Sequence, residues 1–222
     1  ARAMAVELRA VGCNLNFAPM LDLHVNPGSP VTQDRSFGSD PQRVAKMGVA
    51  FERGLRGGRV ISCAKHFPGH GDTVVDPHLD LPVFMGTMER LESVELVPFA
   101  AVIASGGPMI MTAHILLPQI DPEDPASLSR TLLHEILRQR LGFGGVILAD
   151  DLGMGAIAKR YGPGEAAIRA LRAGTDIAML CHDWSAVAPA IAAVRKAHRE
   201  ERFDEAEWNA SQDRIERVRA QV

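Results

Sequence analysis

The apolar positions of this chain fall into two rhythms. Over residues 1–11, Ala1, Met4, Ala5, Leu8 and Val11 recur at helical spacing, and Gly12 ends the pattern as a stop signal. Five short apolar runs, at 15–20, 60–64, 108–113, 146–149 and 176–180, have the length and composition of buried strands. The segments between them predict helices. Asp40-Pro41 opens one, with Asp as N-cap and Pro at the first helical position, running to about Gly54. A second spans about 88–104, with Pro98 as a kink or break inside it. Ser129 can cap a third through Leu141, closed by Gly142 and Gly144. A fourth covers about 164–173, and the remainder from Trp184 to Val222 is helical and amphipathic.

Strands that alternate with helices predict an α/β fold whose parallel sheet is built from repeated strand–helix units. Polar residues gather where the strands end. Asp22 and Arg35 follow the first run, a His-rich loop the second, His114 the third, Asp150 the fourth and His182 the fifth. A barrel with its site at the C-terminal face shows that bias, and so does a doubly wound open sheet. No G-x-G-x-x-G opens a helix and no G-x-x-x-x-G-K-[ST] occurs, so nucleotide binding lacks support.

Composition narrows the class without changing the fold. The 222 residues are 46% hydrophobic, enough for one sizeable core, so a single domain over 1–222 is expected. With 24 basic against 27 acidic residues and no basic stripe interleaved with aromatics, nucleic acid is not an expected partner. Cys13, Cys63 and Cys181 are far apart and odd in number, which argues against a disulfide framework, and all three are expected as buried small hydrophobes. No apolar run approaches the roughly 18 residues of a membrane span and no signal-peptide pattern precedes a cleavage site, so a cytoplasmic location is the expectation.

Residues 65–82, K-H-F-P-G-H-G-D-T-V-V-D-P-H-L-D-L-P, concentrate the chemistry: Lys65, His66, His70, Asp72, Asp76, His78 and Asp80. Turns at Pro68-Gly69 and Gly71-Asp72 mark the stretch as a loop leaving the second strand. Asp76 and His78 stand two apart, so in an extended segment their side chains point the same way and the carboxylate can hold the imidazole. The plainer alternative is a solvated carboxylate, or one that caps a turn. Asp150, at a strand end, can act as nucleophile, metal ligand or N-cap, with one member of Asp150-Asp151 structural. Lys65, His66 and Arg35 can donate to sugar hydroxyls or a carboxylate, and ion pairs with Asp72 or Asp80 are the plainer reading. His66, His70, His78 and Asp72 also raise a metal site. Neither H-E-x-x-H nor a compact three-ligand signature is present, so no metal or cofactor is expected. His70, between two glycines, reads as a loop-shaping hydrogen bonder.

Several motifs in order then carry a resemblance: R-S-F-G-S-D-P from Arg35, K-H-F-P-G-H-G-D-T-x-x-D-x-H from Lys65, E-L-V-P-F from Glu95, M-T-A-H ending at His114, G-V-I from Gly145, D-D-L-x-M from Asp150 and A-G-T-D from Ala173. Together they reach across essentially the whole chain, which resembles glycoside hydrolase family 3 enzymes of the beta-N-acetylhexosaminidase type. The resemblance implies a TIM-type (β/α)8 barrel and a retaining mechanism through a covalent glycosyl-enzyme intermediate. It implies Asp150 as nucleophile, His78 as general acid/base and Asp76 as its partner. It further implies that Lys65, His66 and Arg35 contact the substrate, an N-acetylglucosamine-containing glycan derived from peptidoglycan. An imidazole in place of the usual second carboxylic acid titrates near neutral pH, where a proton donor must work. Runner-up readings are a family 3 beta-glucosidase or phosphorylase-like relative, which generally lacks the His loop, a non-catalytic sugar-binding remnant, and a metal hydrolase.

Three departures from the family pattern stand out. Pro77 replaces a common Ser, and Gly153 a commonly polar residue. The family's sugar-binding D-Q-E-G-G-R segment has no match, and about five strand–helix units are expected where a full barrel has eight in about 250 residues. On that reading the chain is the C-terminal part of a barrel lacking its first strands, with an open apolar edge at the first strand and an activity that needs residues supplied from elsewhere.

Overall fold

The computed structural model of the protein describes residues 1–73 and 75–222; Val74, a position of the His-rich motif, lies outside the described residues. Strands β1 (Leu15–Asn16), β2 (Ile61–Phe67), β3 (Met109–Thr112), β4 (Val146–Asp151) and β5 (Ile177–Met179) form one sheet in that spatial order, every pair parallel. Sequence neighbours pair throughout, so the sheet curls in one direction as part of a barrel rather than reversing as a doubly wound sheet does.

Alternate strand residues serve opposite faces. On the concave face Cys63, Met109, Met111, Val146 and Leu148 form one buried cluster, closed at its base by Ile215 and Val218. On the convex face Ala64, Ile110 and Ile147 pack with Phe99, Leu132 and Leu137. The concave row of β4 passes from Val146 and Leu148 to Asp150, so the same alternation that builds the core delivers a carboxylate at its rim.

The helices follow their local signals closely. Helix α1 (Arg2–Ala10) stops before Gly12, whose φ of 83° suits glycine. Helix α2 (Pro41–Gly57) starts at Pro41, and the Asp40 side chain accepts from Arg43 N at 2.7 Å. It runs three residues past the expected Gly54. The expected break at Pro98 is not seen. Helix α3 (Met88–Arg90) passes through a wide turn, Leu91–Glu95, directly into α4 (Leu96–Ala104). The loosened i→i+5 turn lies just before Pro98, whose missing N–H and ring clash a regular helix would have to absorb. Ser129 Oγ accepts from Leu132 N and caps the Thr131–Arg140 helix, as expected. Beyond β4 come α5 (Gly155–Ala158), a short helix the sequence pattern does not announce, and α6 (Pro163–Ala173). Helices α7 (Val187–Arg199) and α8 (Glu205–Arg219) complete the chain.

The strand ends depart from expectation more than the helix ends. Only Leu15–Asn16 of the run 15–20 is regular strand, because Pro19 cannot donate to a ladder. Ala18 O and Pro19 O nevertheless accept from Cys63 N and Lys65 N, each at 3.0 Å. In β2 the ladder runs on to Phe67, so Lys65 and His66 sit on the strand and not in the loop. Likewise β4 includes Asp150 and Asp151. Of the three cysteines only Cys63 is buried. Cys13, in the turn after α1, and Cys181, in the loop after β5, are exposed, contrary to expectation. Between the β1 and β5 edges of the sheet Leu15, Phe17, Met179, Leu180, Val187 and Ile191 border an open apolar recess of about 700 Å³. Among the described residues no helix is long and apolar enough to cross a membrane.

Candidate active site

The foundation of the site is Asp22, fully buried just beyond the first strand run. Its carboxylate accepts from the His66 ring (Nδ1 to Oδ2, 2.6 Å), from His66 N and from His70 N (2.6 Å to Oδ1). Burial alone would raise the Asp22 carboxyl, but the charge and hydrogen bond of His66, together with His70, outweigh it and hold it below the ordinary carboxylate value. One carboxylate therefore fixes both ends of the K-H-F-P-G-H turn and leaves His66 Nε2 as the nitrogen directed elsewhere. Ser36 Oγ donates to Asp22 O at 2.7 Å and ties the R-S-F-G loop to the same point. The loop packs so closely that a Cβ on Gly71 would fall 1.6 Å from the Leu23 carbonyl oxygen. That position needs glycine for close approach.

His70 confirms the loop-shaping reading by its bonds. Its Nδ1 pairs with Thr73 Oγ1 at 2.6 Å, and Thr73 Oγ1 donates to His70 O at 2.9 Å, so Nδ1 carries the proton. Burial first, opposed by Asp22, lowers the His70 pKa from 6.5 to about 4. Folded His70 thus stays neutral over a range where the unfolded chain takes up a proton. The stability this contributes is present above pH 6.5 and is lost as pH falls through about 4, amounting to about 3 kcal/mol at 1.36 kcal/mol per unit. Urea unfolding at pH 7 and pH 4.5 is expected to show that loss, and a flat profile over the window would contradict it. His70→Asn should flatten the slope even if it lowers the whole curve.

The outer arm of the loop carries Asp76 and His78. Asp76 Oδ1 accepts from both His78 N (2.9 Å) and His78 Nδ1 (2.8 Å). The segment is not extended, as the spacing argument assumed. It is a single helical turn: Leu79 N and Asp80 N both bond Asp76 O, with Asp76 as N-cap and Pro77 at the first turn position. The capping and the imidazole-holding readings are therefore both met by one carboxylate. The His78 backbone N–H first, then its ring, hold the Asp76 carboxyl below its ordinary value. Pro77 suits this turn, and its carbonyl accepts from Ala156 N at 3.0 Å. His78 O accepts from Gly155 N at 3.2 Å, where a Cβ would lie only 2.4 Å from that oxygen. These two bonds clip the His78 turn onto the start of α5, beside the end of β4.

Asp150 stands at that end, half-buried, with Oδ1 accepting from Asp151 N at 2.8 Å. Its charge is felt by Lys65, His70 and His114. Partial burial first, then the Arg35 guanidinium, hold Lys65 below the ordinary lysine range, while Asp150 pulls the other way. Lys65 thus sits in the combined field of Arg35 and Asp150. Among the described residues the plainer ion pairs of Lys65, His66 and Arg35 with Asp72 or Asp80 do not form: Asp72 lies 3.7 Å from Arg90, and Asp80 lies 3.6 Å from Lys159. Arg35 is exposed, with its guanidinium donating to Val31 O at 3.2 Å. The ligand set His66, His70, His78 and Asp72 does not converge. Among the described residues no group of three His, Cys, Asp or Glu side chains is placed to hold a metal ion.

Asp151 is the structural member of the Asp-Asp doublet. Buried at 3% exposure, it accepts from Gly153 N, Cys181 N and the His182 ring, while its carbonyl accepts from His114 Nε2. Burial would raise its carboxyl, but the Gly153 and Cys181 N–H groups and His182 outweigh that and hold it low. His114, with Nε2 donating and Nδ1 on Ser127 Oγ, is a neutral buried strut between the ends of β3 and β4. In the sequence Asp22, His114 and His182 stand at strand ends with nothing to indicate their partners. Their only signal was position at a strand terminus.

Asp150, Lys65 and the Asp76–His78 turn all stand at the C-terminal edge of parallel barrel strands, the face on which barrel enzymes carry their sites. Residues 1–218 match the Glycosyl hydrolase family 3 N terminal domain, and the chain belongs to that family, as the ordered motifs implied. It is 42% identical over 179 residues to a beta-hexosaminidase from Thiobacillus denitrificans, covering 81% of this chain and 49% of that protein. A beta-hexosaminidase from Pseudomonas aeruginosa is 42% identical over 196 residues, covering 87% of this chain and 57% of that protein. The solved glycoside hydrolase family 3 beta-N-acetylglucosaminidase from Paenibacillus sp. superposes with a TM-score of 0.96 at 41% identity, over 98% of this chain and 42% of that one. The chain thus spans about half the length of the curated relatives it matches.

Proposed function

We propose that this domain carries the catalytic centre of a retaining glycoside hydrolase that releases terminal beta-linked N-acetylglucosamine from peptidoglycan-derived fragments in the cytoplasm. The observation that carries the reading is the clipping of the Asp76–His78 turn against the end of β4, where Asp150 emerges from the core. Asp150 attacks the anomeric carbon and forms a glycosyl ester as the glycosidic C–O bond breaks. His78 Nε2 gives its proton to the departing oxygen, with Nδ1–H held by Asp76. The same nitrogen then takes a proton from water, which attacks the anomeric carbon and releases Asp150. Lys65 and Arg35 donate to the sugar, and His66, oriented by Asp22, presents Nε2 to it.

A substrate panel tests the reading in the full-length protein. 4-Nitrophenyl beta-N-acetylglucosaminide is expected to turn over far faster than the matching glucoside, with release of free sugar that does not depend on phosphate. Preference for the glucoside, or a requirement for phosphate, would move the protein to a beta-glucosidase or phosphorylase role. Loss of turnover in chelator would instead favour a metal hydrolase.

A further inference from the structure

A second imidazole–carboxylate pair stands beside the first. His182, in the loop after β5, donates Nδ1–H to Asp151 Oδ2, and Asp151 is itself fixed by Gly153 N at 2.9 Å and Cys181 N at 3.0 Å. A carboxylate held this way can only accept, so the tautomer of His182 is set and Nε2 is its outward nitrogen. The His182 side chain is 67% exposed, and its ring is tied to a buried anchor. Its centroid lies 6.1 Å from that of His78, with the rings nearly perpendicular at 84°.

We propose that His182 is a specificity-determining residue for the leaving group, binding a hydroxyl of a second sugar ring. This rests on the proposed hydrolase reading. If His78 protonates the departing oxygen, a ring whose centroid lies 6.1 Å from that of His78 is within reach of the first atoms beyond that oxygen. A sugar hydroxyl fits His182 in either protonation state: it donates to Nε2 of the neutral ring and accepts from Nε2–H of the charged one. An aryl leaving group offers no such hydroxyl. Asp151 serves to position His182, as Asp76 positions His78, so the site holds one imidazole for the proton and one for the acceptor sugar.

The test compares kcat/KM of the full-length enzyme and its His182→Phe and His182→Gln variants on three substrates: N,N′-diacetylchitobiose, 4-nitrophenyl and phenyl beta-N-acetylglucosaminide. His182→Phe keeps a planar ring without nitrogens. It is expected to lower the disaccharide value about tenfold more than either aryl value, the scale of one lost substrate hydrogen bond. His182→Gln should recover much of that ratio. Both aryl substrates should fall by the same factor, since a residue acting through His78 would penalise the poorer phenyl leaving group more. Aryl turnover in each variant doubles as the measure of correct folding. A disaccharide-to-aryl ratio unmoved by His182→Phe, or a larger loss on phenyl than on 4-nitrophenyl, overturns the inference alone. A wild-type enzyme inert on all three overturns the hydrolase reading with it.

Discussion

Asp150→Asn is expected to cut turnover of every N-acetylglucosaminide by about 10⁴-fold or more, since removing a nucleophile removes the covalent route and not one contact among several. The amide keeps the shape of the carboxylate and can still accept from Asp151 N, so β4 and the Asp151 network should stay intact. Near-UV circular dichroism and the thermal midpoint should therefore match wild type within a few degrees. Rapid-quench analysis should show no burst of aryl alcohol. Substantial residual turnover with a normal fold would strip Asp150 of the role and return attention to Asp151, whose oxygens are committed to Gly153, Cys181 and His182.

His78→Gln should divide substrates by leaving group. General acid help is worth about 10² to 10⁴ in rate, and it matters most when the departing oxygen is basic. Phenyl and disaccharide substrates are expected to lose about that much, whereas a 2,4-dinitrophenyl substrate should lose far less in its first step. His78 is 60% exposed in its side chain and touches the fold mainly through Asp76 and the Gly155 contact, so the cost to stability should be small. Equal losses across the series would remove it as the acid. Added azide should rescue the second step, where the missing base otherwise limits attack by water, and the product should be the beta-glycosyl azide.

Much of the fold was legible because it is written locally. Asp40-Pro41 and Ser129 start helices by bonds that reach three residues, and the alternating apolar runs place five parallel strands in order. Where a strand ends was less legible. Lys65 and Asp150 are charged, so an apolar pattern stops short of them, but the ladder continues because the backbone bonds irrespective of side chain. At Pro98, where a kink or break was expected, the helix does not end, and a wide turn just before it absorbs the local prohibition.

The site divides along the same line. Asp76 and His78 are two residues apart, so the sequence offered their pairing beside a capping role, and the structure meets both through a helical turn and not the extended segment that spacing suggested. What only the tertiary structure decided is which histidine is spoken for. His66 depends on Asp22, 44 residues away, and His182 on Asp151, 31 residues away. Those pairings follow from strands lying side by side in a curled sheet, where residues distant in the chain share one rim. At that rim burial keeps His70 neutral, while the charge and hydrogen bonds of His66 and His70 keep Asp22 ionised against its own burial.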